Sequence, residues 1–212
     1  QDYCILALLP SYKEQTNSSL IYMIDTLIKK SKHPKSGYYL SDYSNLSNTI
    51  QTLEKNKEKT ILFGVTYALL DFAEQYPQKL KHTVIIETGG MKGKRKEIIK
   101  NEVHRKLKKS FSVKNIHSEY GMTELLSQAY SKNDNIFTTP KWMKILIRDI
   151  HDPLSIIKEN KIGCINIIDL ANIFSCPFIA TQDLGKINLN GSFSLLGRLS
   201  NSDVRGCNLL IE

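Results

Sequence analysis

The sequence predicts an α/β protein in which a parallel sheet with flanking helices is followed by an antiparallel β subdomain. Two sequence patterns along the chain support this prediction. Short apolar segments alternate with helical patterns in the first part, and closely spaced strand patterns without intervening helices fill the last part. Strands that alternate with helices indicate a parallel sheet with covered faces. We therefore divide the 212 residues into an α/β part, residues 1–141, and an antiparallel β subdomain, residues 142–212.

The α/β part begins with an apolar segment at residues 4–9, which predicts a strand. Apolar residues at helical spacing then predict a helix over residues 18–30. A second helix over residues 42–55 has Ser41 or Asp42 as its cap. The remaining predicted elements are a strand at 61–65 leading into a helix through 72, a strand at 84–87, a helix at 94–109 and a strand at 115–117.

The β subdomain is predicted from short strands at close spacing, which are typical of an antiparallel sheet or small barrel. Asn190-Gly191 is a strong hairpin signal. We expect residues 131–140 to form a mobile loop. The predicted strands are residues 144–148, 164–170, 178–181, 186–189 and 192–196.

Charge and hydropathy argue against two classes of function, nucleic-acid binding and membrane spanning. The net charge of +8 is uneven, with nine Lys and Arg between Lys92 and Lys109 against only Glu97 and Glu102. We interpret this basic stretch as a solvated helix face, because no nucleic-acid recognition motif accompanies it. No apolar run reaches the roughly 18 residues of a membrane span.

The cysteines are too scattered for a disulfide or zinc framework. They show no Cys-x-x-Cys pairing, which favours reduced thiols and a cytoplasmic location. The four are Cys4, Cys164, Cys176 and Cys207.

Residues 120–124, Tyr-Gly-Met-Thr-Glu, combine an aromatic ring, a glycine, a hydroxyl and a carboxylate. That set can hold a nucleotide: a ring can stack on a base, a hydroxyl can bind a phosphate oxygen, and a carboxylate can bind Mg²⁺. A turn from a strand into a helix, with Thr123 as the cap, is the alternative interpretation of these five residues.

Three further motifs make the pattern more specific: Glu-Thr-Gly-Gly-Met-Lys-Gly at 87–93, Thr-Gln-Asp-Leu-Gly at 181–185 and Leu-Gly-Arg at 196–198. The order of all four resembles the later part of the large domain of adenylate-forming enzymes. The sequence of residues 87–93 and 117–130 resembles one branch in particular, the LuxE-type acyl-protein synthetases. The resemblance covers essentially the whole chain.

The resemblance implies a site for the adenine base. Gly89 and Gly90 would let the backbone approach the base closely, and Tyr120, followed by Gly121, would stack on it. A Gly-Gly pair after a strand can also be only a tight turn.

The resemblance also implies groups for the phosphates and the ribose. Thr123 would contact the α-phosphate, and Glu124 would hold Mg²⁺. Asp183 would accept the ribose hydroxyls, and Arg198 would reach the ribose or a phosphate. An Asp before Leu-Gly is also a common turn former.

Cys207 is the cysteine to which the resemblance gives a function, as the thiol that takes the acyl group. Arg205 nearby would favour the thiolate. The alternative is a small buried residue, the usual fate of a free cysteine. We expect Cys164 and Cys176 to be structural.

By resemblance, the protein is a ligase that activates a carboxylic acid, a fatty acid, with ATP and Mg²⁺. The acyl group would pass to a protein thiol, with an acyl-accepting or acyl-reducing protein as partner. Family members carry a Ser/Thr/Gly-rich phosphate loop that this sequence lacks, and the sequence opens at Gln1. We therefore expect a C-terminal fragment of a longer protein that is inactive by itself.

Three alternatives remain open from the sequence. A phenylacetate-type acyl-CoA ligase would share every motif and use coenzyme A as the acceptor. A nucleotide-binding module would bind ATP without turnover. A basic nucleic-acid binder would show salt-dependent binding.

Overall fold

Buried strands alternate with helices through the first half of the chain. The computed structural model describes residues 3–9, 18–89, 99–133 and 135–199. The elements of this half are β1 (Cys4–Leu8), α1 (Ser19–Ser31), β2 (Gly37–Tyr38), α2 (Tyr43–Lys55), β3 (Thr60–Gly64), α3 (Thr66–Gln75), β4 (Thr83–Glu87) and α4 (Lys100–Phe111).

The four strands of this half pair in the order β2-β1-β3-β4, and the pairs are parallel. Every residue of β1 is buried, as expected for a parallel strand covered on both faces. The first two helices begin at polar caps: the Ser18 side chain accepts from Ile21 N, and Asp42 Oδ1 accepts from Asn45 N at 3.0 Å. The Asp42 side chain is thus the cap of α2, one of the two predicted from the sequence.

The second half contains β5 (His117–Tyr120), β6 (Ala129–Asn133), β7 (Ile136–Thr138), β8 (Met143–Arg148), β9 (Gly163–Asp169), β10 (Phe178–Ile187) and β11 (Phe193–Arg198). A short 3-10 helix at Leu170–Asn172 follows β9. The strands pair antiparallel in the order β5-β6-β7-β11-β10-β9-β8. Their shared core includes Phe137, Ile165 and Phe193.

The chain divides into two compact units, Gln1–His117 and Ser118–Glu212. The first contains the parallel strands and all four α-helices described above, and the second is almost entirely antiparallel. The predicted boundary between the α/β part and the β subdomain, between residues 141 and 142, stays a prediction. None of the helices in the described part of the chain is long and apolar enough to cross a membrane.

Two sequence expectations were wrong in the second half. Residues 131–140, expected as a loop, contain the end of β6 and all of β7. The strands expected at 178–181 and 186–189 form one strand, β10. Its pairing register shifts between Ala180 and Leu184, so that Asp and Gly residues typical of a turn lie inside an irregular strand.

Candidate nucleotide site

Three predicted site residues meet in the interior of the second unit. The Tyr120 hydroxyl donates to Asp183 Oδ2 at 2.7 Å, and Arg198 Nε lies 3.3 Å from Asp183 Oδ1. All three side chains are buried, and Asp183 is only 2% exposed. A buried carboxylate is stable only when it is paired and hydrogen-bonded, and a phenol and a guanidinium meet that need here. We call this group the Asp183 cluster.

The sheet explains how residues far apart in sequence come together. Tyr120 ends β5, while Asp183 lies in β10 directly opposite Arg198 of β11. The pairing register of β10 and β11 shifts between Leu184 and Gly185. A Cβ at Gly185 would lie 2.7 Å from the Ser194 carbonyl oxygen, so only glycine lets the two strands approach this closely.

The ring of Tyr120 is part of the hydrophobic core. It is 2% exposed and makes edge-to-face contacts with Phe137 and Phe193, with centroids 6.0 and 5.6 Å away. A ring with this burial presents little of either face to a base. The burial favours a role through the hydroxyl, and stacking on adenine stays a prediction.

Thr123 and Glu124 lie in an exposed turn after β5. No helix begins there, so the interpretation of Thr123 as a helix cap was wrong. The turn is anchored by Leu125, which is buried and donates its amide to the Met122 carbonyl at 3.1 Å. Gly121, half-buried, begins the turn.

The exposed turn suits a cation that is held mainly by its substrate. Within the described residues, no group of three His, Cys, Asp or Glu could hold a metal ion. Mg²⁺ in nucleotide enzymes is usually bound by one or two carboxylates together with substrate phosphates, so a single accessible carboxylate fits it. Glu124 as a ligand of Mg²⁺ stays a prediction.

The first unit contains a second buried carboxylate, Glu87, at the end of β4. Glu87 Oε2 accepts from Thr66 Oγ1 at 3.0 Å and from Gly89 N at 2.9 Å. Glu87 Oε1 lies 2.9 Å from Lys100 Nζ and 3.6 Å from His104 Nε2. We call this group the Glu87 cluster.

Gly89, a predicted adenine neighbour, is held by the Glu87 cluster in a left-handed conformation with φ of 73°. Its carbonyl accepts from the Thr66 amide at 3.2 Å, so both of its backbone polar groups are bonded. Glycine adopts this conformation without steric cost. The predicted tight turn after β4 is therefore compatible with the conformation of Gly89.

No sequence motif groups Glu87 with Thr66, Lys100 and His104. One signal was available: Lys100 opens helix α4, where a cation opposes the helix dipole, and an anionic partner nearby would explain it. The spacing of Lys100 and His104 puts both on one helix face, toward the same carboxylate.

The described cysteines differ in exposure. Burial raises the pKa of the Cys4 and Cys164 thiols, which supports the structural role predicted for Cys164. Cys176 is exposed, and its Sγ donates to the Phe178 carbonyl at 3.2 Å. Cys176 lies two residues before β10, and its structural role stays a prediction.

Two predicted site residues, Gly90 and Cys207, lie outside the described residues. Gly89 belongs to the first unit. The other predicted residues belong to the second, namely Tyr120, Gly121, Thr123, Glu124, Asp183 and Arg198.

No protein-family model matches the sequence, and no curated protein has significant similarity to it. Solved structures share its fold. Apo MatB from Rhodopseudomonas palustris superimposes with a TM-score of 0.67 at 15% identity, covering 95% of this chain and 41% of that chain. The o-succinylbenzoate CoA synthetase MenE from Bacillus subtilis, in complex with AMP, gives 0.61 at 17% identity over 94% of this chain and 42% of that one.

A third similar structure is the amide bond synthetase McbA from Marinactinospora thermotolerans, with a TM-score of 0.57 at 13% identity over 93% of this chain and 41% of that chain. The chain thus spans about two fifths of the length of these proteins. At such low identity the similarity establishes the fold. It confirms the predicted α/β fold class, in which parallel strands with helices are followed by antiparallel strands.

Proposed function

We propose that the full-length protein is an acyl-adenylate-forming ligase that activates a carboxylic acid, and specifically a fatty acid, with ATP and Mg²⁺. The single observation that carries the proposal is the Asp183 cluster, in which residues from three separate sequence motifs are joined by a hydrogen bond and an ion pair. The fold shared with MatB, which has been solved with ATP bound, and with MenE, solved with AMP, supports the same reaction class.

In this proposal the ribose, the α-phosphate and the cation each have their own group in the second unit. Asp183 accepts the ribose hydroxyls, and Arg198 beside it reaches the ribose or a phosphate. Thr123 donates its hydroxyl to the α-phosphate, and Glu124 holds Mg²⁺. When bound, the cation neutralises charge on the phosphates as pyrophosphate leaves. The substrate carboxylate is already ionised near neutral pH, so its attack needs no general base.

The test is exchange of labelled pyrophosphate into ATP by the full-length protein in the presence of fatty acids of several lengths. Glu124→Gln removes the carboxylate ligand, and we expect exchange to fall by about a hundredfold or more, since metal ions supply several kcal/mol to such reactions. Glu159→Gln, the same change at an exposed position with no role in the proposal, is the matched control.

Two outcomes would count against the proposal. Equal exchange by wild type and the Glu124→Gln variant would remove Glu124 from the mechanism. Binding of ATP without exchange, whichever acid is supplied, would favour the nucleotide-binding module instead.

We further propose that the acyl group passes to a protein thiol, Cys207, as in a LuxE-type acyl-protein synthetase. Incubation of the full-length protein with ATP, Mg²⁺ and labelled fatty acid should give an adduct that neutral hydroxylamine cleaves. Cys207→Ser should abolish the adduct and leave pyrophosphate exchange intact, because adenylation precedes transfer and needs no thiol. Cys176→Ser is the control, since Cys176 is the exposed cysteine among the described residues.

A coenzyme A acceptor is the second candidate. The observation that favours it is the similarity to MenE bound with its product analogue OSB-NCoA, with a TM-score of 0.63 at 17% identity over 98% of this chain and 43% of that one. If no adduct forms until coenzyme A is added, and the label then leaves with it, the thiol proposal fails and the acyl-CoA ligase takes its place.

A further inference from the structure

The exposed turn at Thr123 and Glu124 is held in place by two buried side chains that no sequence motif contains. Asn172, in the short 3-10 helix after β9, is 2% exposed. Its Nδ2 donates to the Glu124 carbonyl at 2.6 Å, and its Oδ1 accepts from the Leu126 amide at 3.1 Å. A single amide group thus bonds the backbone on both sides of Leu125.

Asp169, three residues earlier, continues the same attachment. It is fully buried and accepts from the Ser127 amide at 2.9 Å and from the Ser127 hydroxyl at 2.7 Å. The indole of Trp142 donates to the Ser127 hydroxyl at 2.9 Å, and so orients it toward the carboxylate. Three backbone polar groups, the Glu124 carbonyl and the amides of Leu126 and Ser127, are therefore bonded to Asn172 and Asp169.

We propose that Asn172, supported by Asp169, is a positioning residue for Glu124, which it holds at the position where the carboxylate meets the metal-bound phosphates of ATP. This inference rests on the proposed function. Buried amides and carboxylates are costly unless satisfied. Asp169 Oδ1 also accepts from the Ala171 amide at 3.1 Å and so caps the 3-10 helix, whereas the other side-chain bonds of Asn172 and Asp169 described above go to the segment that presents Thr123 and Glu124. Functional side chains need such support, because a misplacement of about 1 Å can cost a hundredfold in rate.

The decisive variant is Asn172→Asp in the full-length protein. It keeps the shape of the side chain and the oxygen that accepts from Leu126, but it removes the donor to the Glu124 carbonyl and sets an oxygen against it. We expect pyrophosphate exchange to fall toward the level of Glu124→Gln. Asn188→Asp is the matched control, because Asn188 donates to Ser192 and Ser194 in the β10–β11 hairpin.

A second readout separates positioning from simple support of the fold. The affinity for ATP is measured by calorimetry with and without Mg²⁺, and the ratio reports the contribution of the cation. Asn172→Asp should lower this ratio in the wild-type background and leave it unchanged in the Glu124→Gln background, since residues that act through one another are not additive. A merely structural residue would reduce ATP binding equally with and without the cation and in both backgrounds.

Ser127→Ala provides the same test if Asn172→Asp does not fold. It removes the hydroxyl, which donates to Asp169 and accepts from Trp142, and keeps the backbone bond to Asp169. If the wild type exchanges pyrophosphate but the variants leave the ratio of ATP affinities with and without Mg²⁺ unchanged, this inference alone is overturned. Absence of both exchange and Mg²⁺-dependent ATP binding in the wild type overturns the proposed function and this inference with it.

Discussion

Glu87 in the first unit and Asp183 in the second are both buried carboxylates, but they are held in different ways. Both oxygens of Glu87 are engaged, and its partners come from the turn two residues later, from helix α3 before the strand and from helix α4 after it. These partners are Thr66, Gly89, Lys100 and His104. The Glu87 cluster therefore ties β4 to α3 and α4.

The Asp183 cluster joins strands instead of helix ends. Its partners, Tyr120 and Arg198, lie on β5 and β11, and each belongs to a motif that the sequence singles out. The sheet brings these residues together across more than 60 positions of sequence, as the 63-residue separation of Tyr120 and Asp183 shows.

This difference separates two uses of a buried charge. An ion pair that also bonds backbone and helix residues nearby mainly holds local structure, and its loss leaves an uncompensated charge. A hydrogen-bonded group built from three motifs is a better candidate for ligand recognition. We therefore expect substitutions in the Glu87 cluster to reduce stability first, and those in the Asp183 cluster to reduce nucleotide affinity first.

The largest expected effect is on stability, from Glu87→Ala. Lys100 and His104 would lose their buried partner, and we expect a loss of about 3–5 kcal/mol in the free energy of local opening, as for other broken buried pairs. Hydrogen-exchange mass spectrometry on peptides from β4 and α4 measures this quantity segment by segment in the full-length protein.

Glu102→Gln is the control on the same helix. Glu102 pairs with Arg105 at 3.8 Å and Lys106 at 3.7 Å on the helix surface, where ion pairs contribute at most about 1 kcal/mol. If Glu87→Ala changes exchange no more than Glu102→Gln does, the Glu87 cluster does not stabilise the first unit, and the contrast with Asp183 is lost.

The parallel half of the fold could be predicted well from the sequence because its signals are local. The apolar run at 4–9 and the helical spacing after Ser18 correspond to β1 and α1 within a residue or two. The same holds for Asp42 as a cap. Such features depend on neighbours within one or two turns of chain, which the sequence displays directly.

The antiparallel half was harder because its pairing is long-range. Asp183 and Gly185 suggest a turn, yet they lie inside β10, where β9 and β11 impose an irregular strand. β7 is three residues long, too short for a periodic pattern to be visible. The conformation of such segments depends on their long-range pairing partners, which cannot be identified from a single sequence.

The candidate site shows the same division. Motifs identified Tyr120, Asp183 and Arg198, and the structure brings them together. Asn172 and Asp169 could not be predicted, because their role depends on which backbone groups they bond: Nδ2 of Asn172 to Glu124, and the Asp169 carboxylate to Ser127. Side chains that support a site from a neighbouring element carry no motif of their own.

The smallest expected effect tests how Tyr120 acts within the Asp183 cluster. Tyr120→Phe keeps the ring in the core and removes only the hydroxyl that donates to Asp183 Oδ2. A hydrogen bond to a charged group contributes about 1.5–3 kcal/mol, and we expect part of this to reach the ribose contact. The affinity of the full-length protein for ATP should fall by about threefold to tenfold, whereas the affinity for 2′-deoxy-ATP should change less.

The ratio of the two affinities discriminates between the hydroxyl and the ring. If Tyr120 instead stacks on adenine, Phe would stack equally well, and the affinities for ATP and 2′-deoxy-ATP would both stay at the wild-type level. Tyr120→Leu would then weaken both nucleotides alike, by about 1–3 kcal/mol for a lost stack. Those two results would show that the Tyr120 ring binds adenine despite its burial. If the preference for ATP over 2′-deoxy-ATP instead becomes smaller in Tyr120→Phe, the Tyr120 hydroxyl orients Asp183 toward the ribose. Asp183 would then differ from Glu87 in binding a ligand.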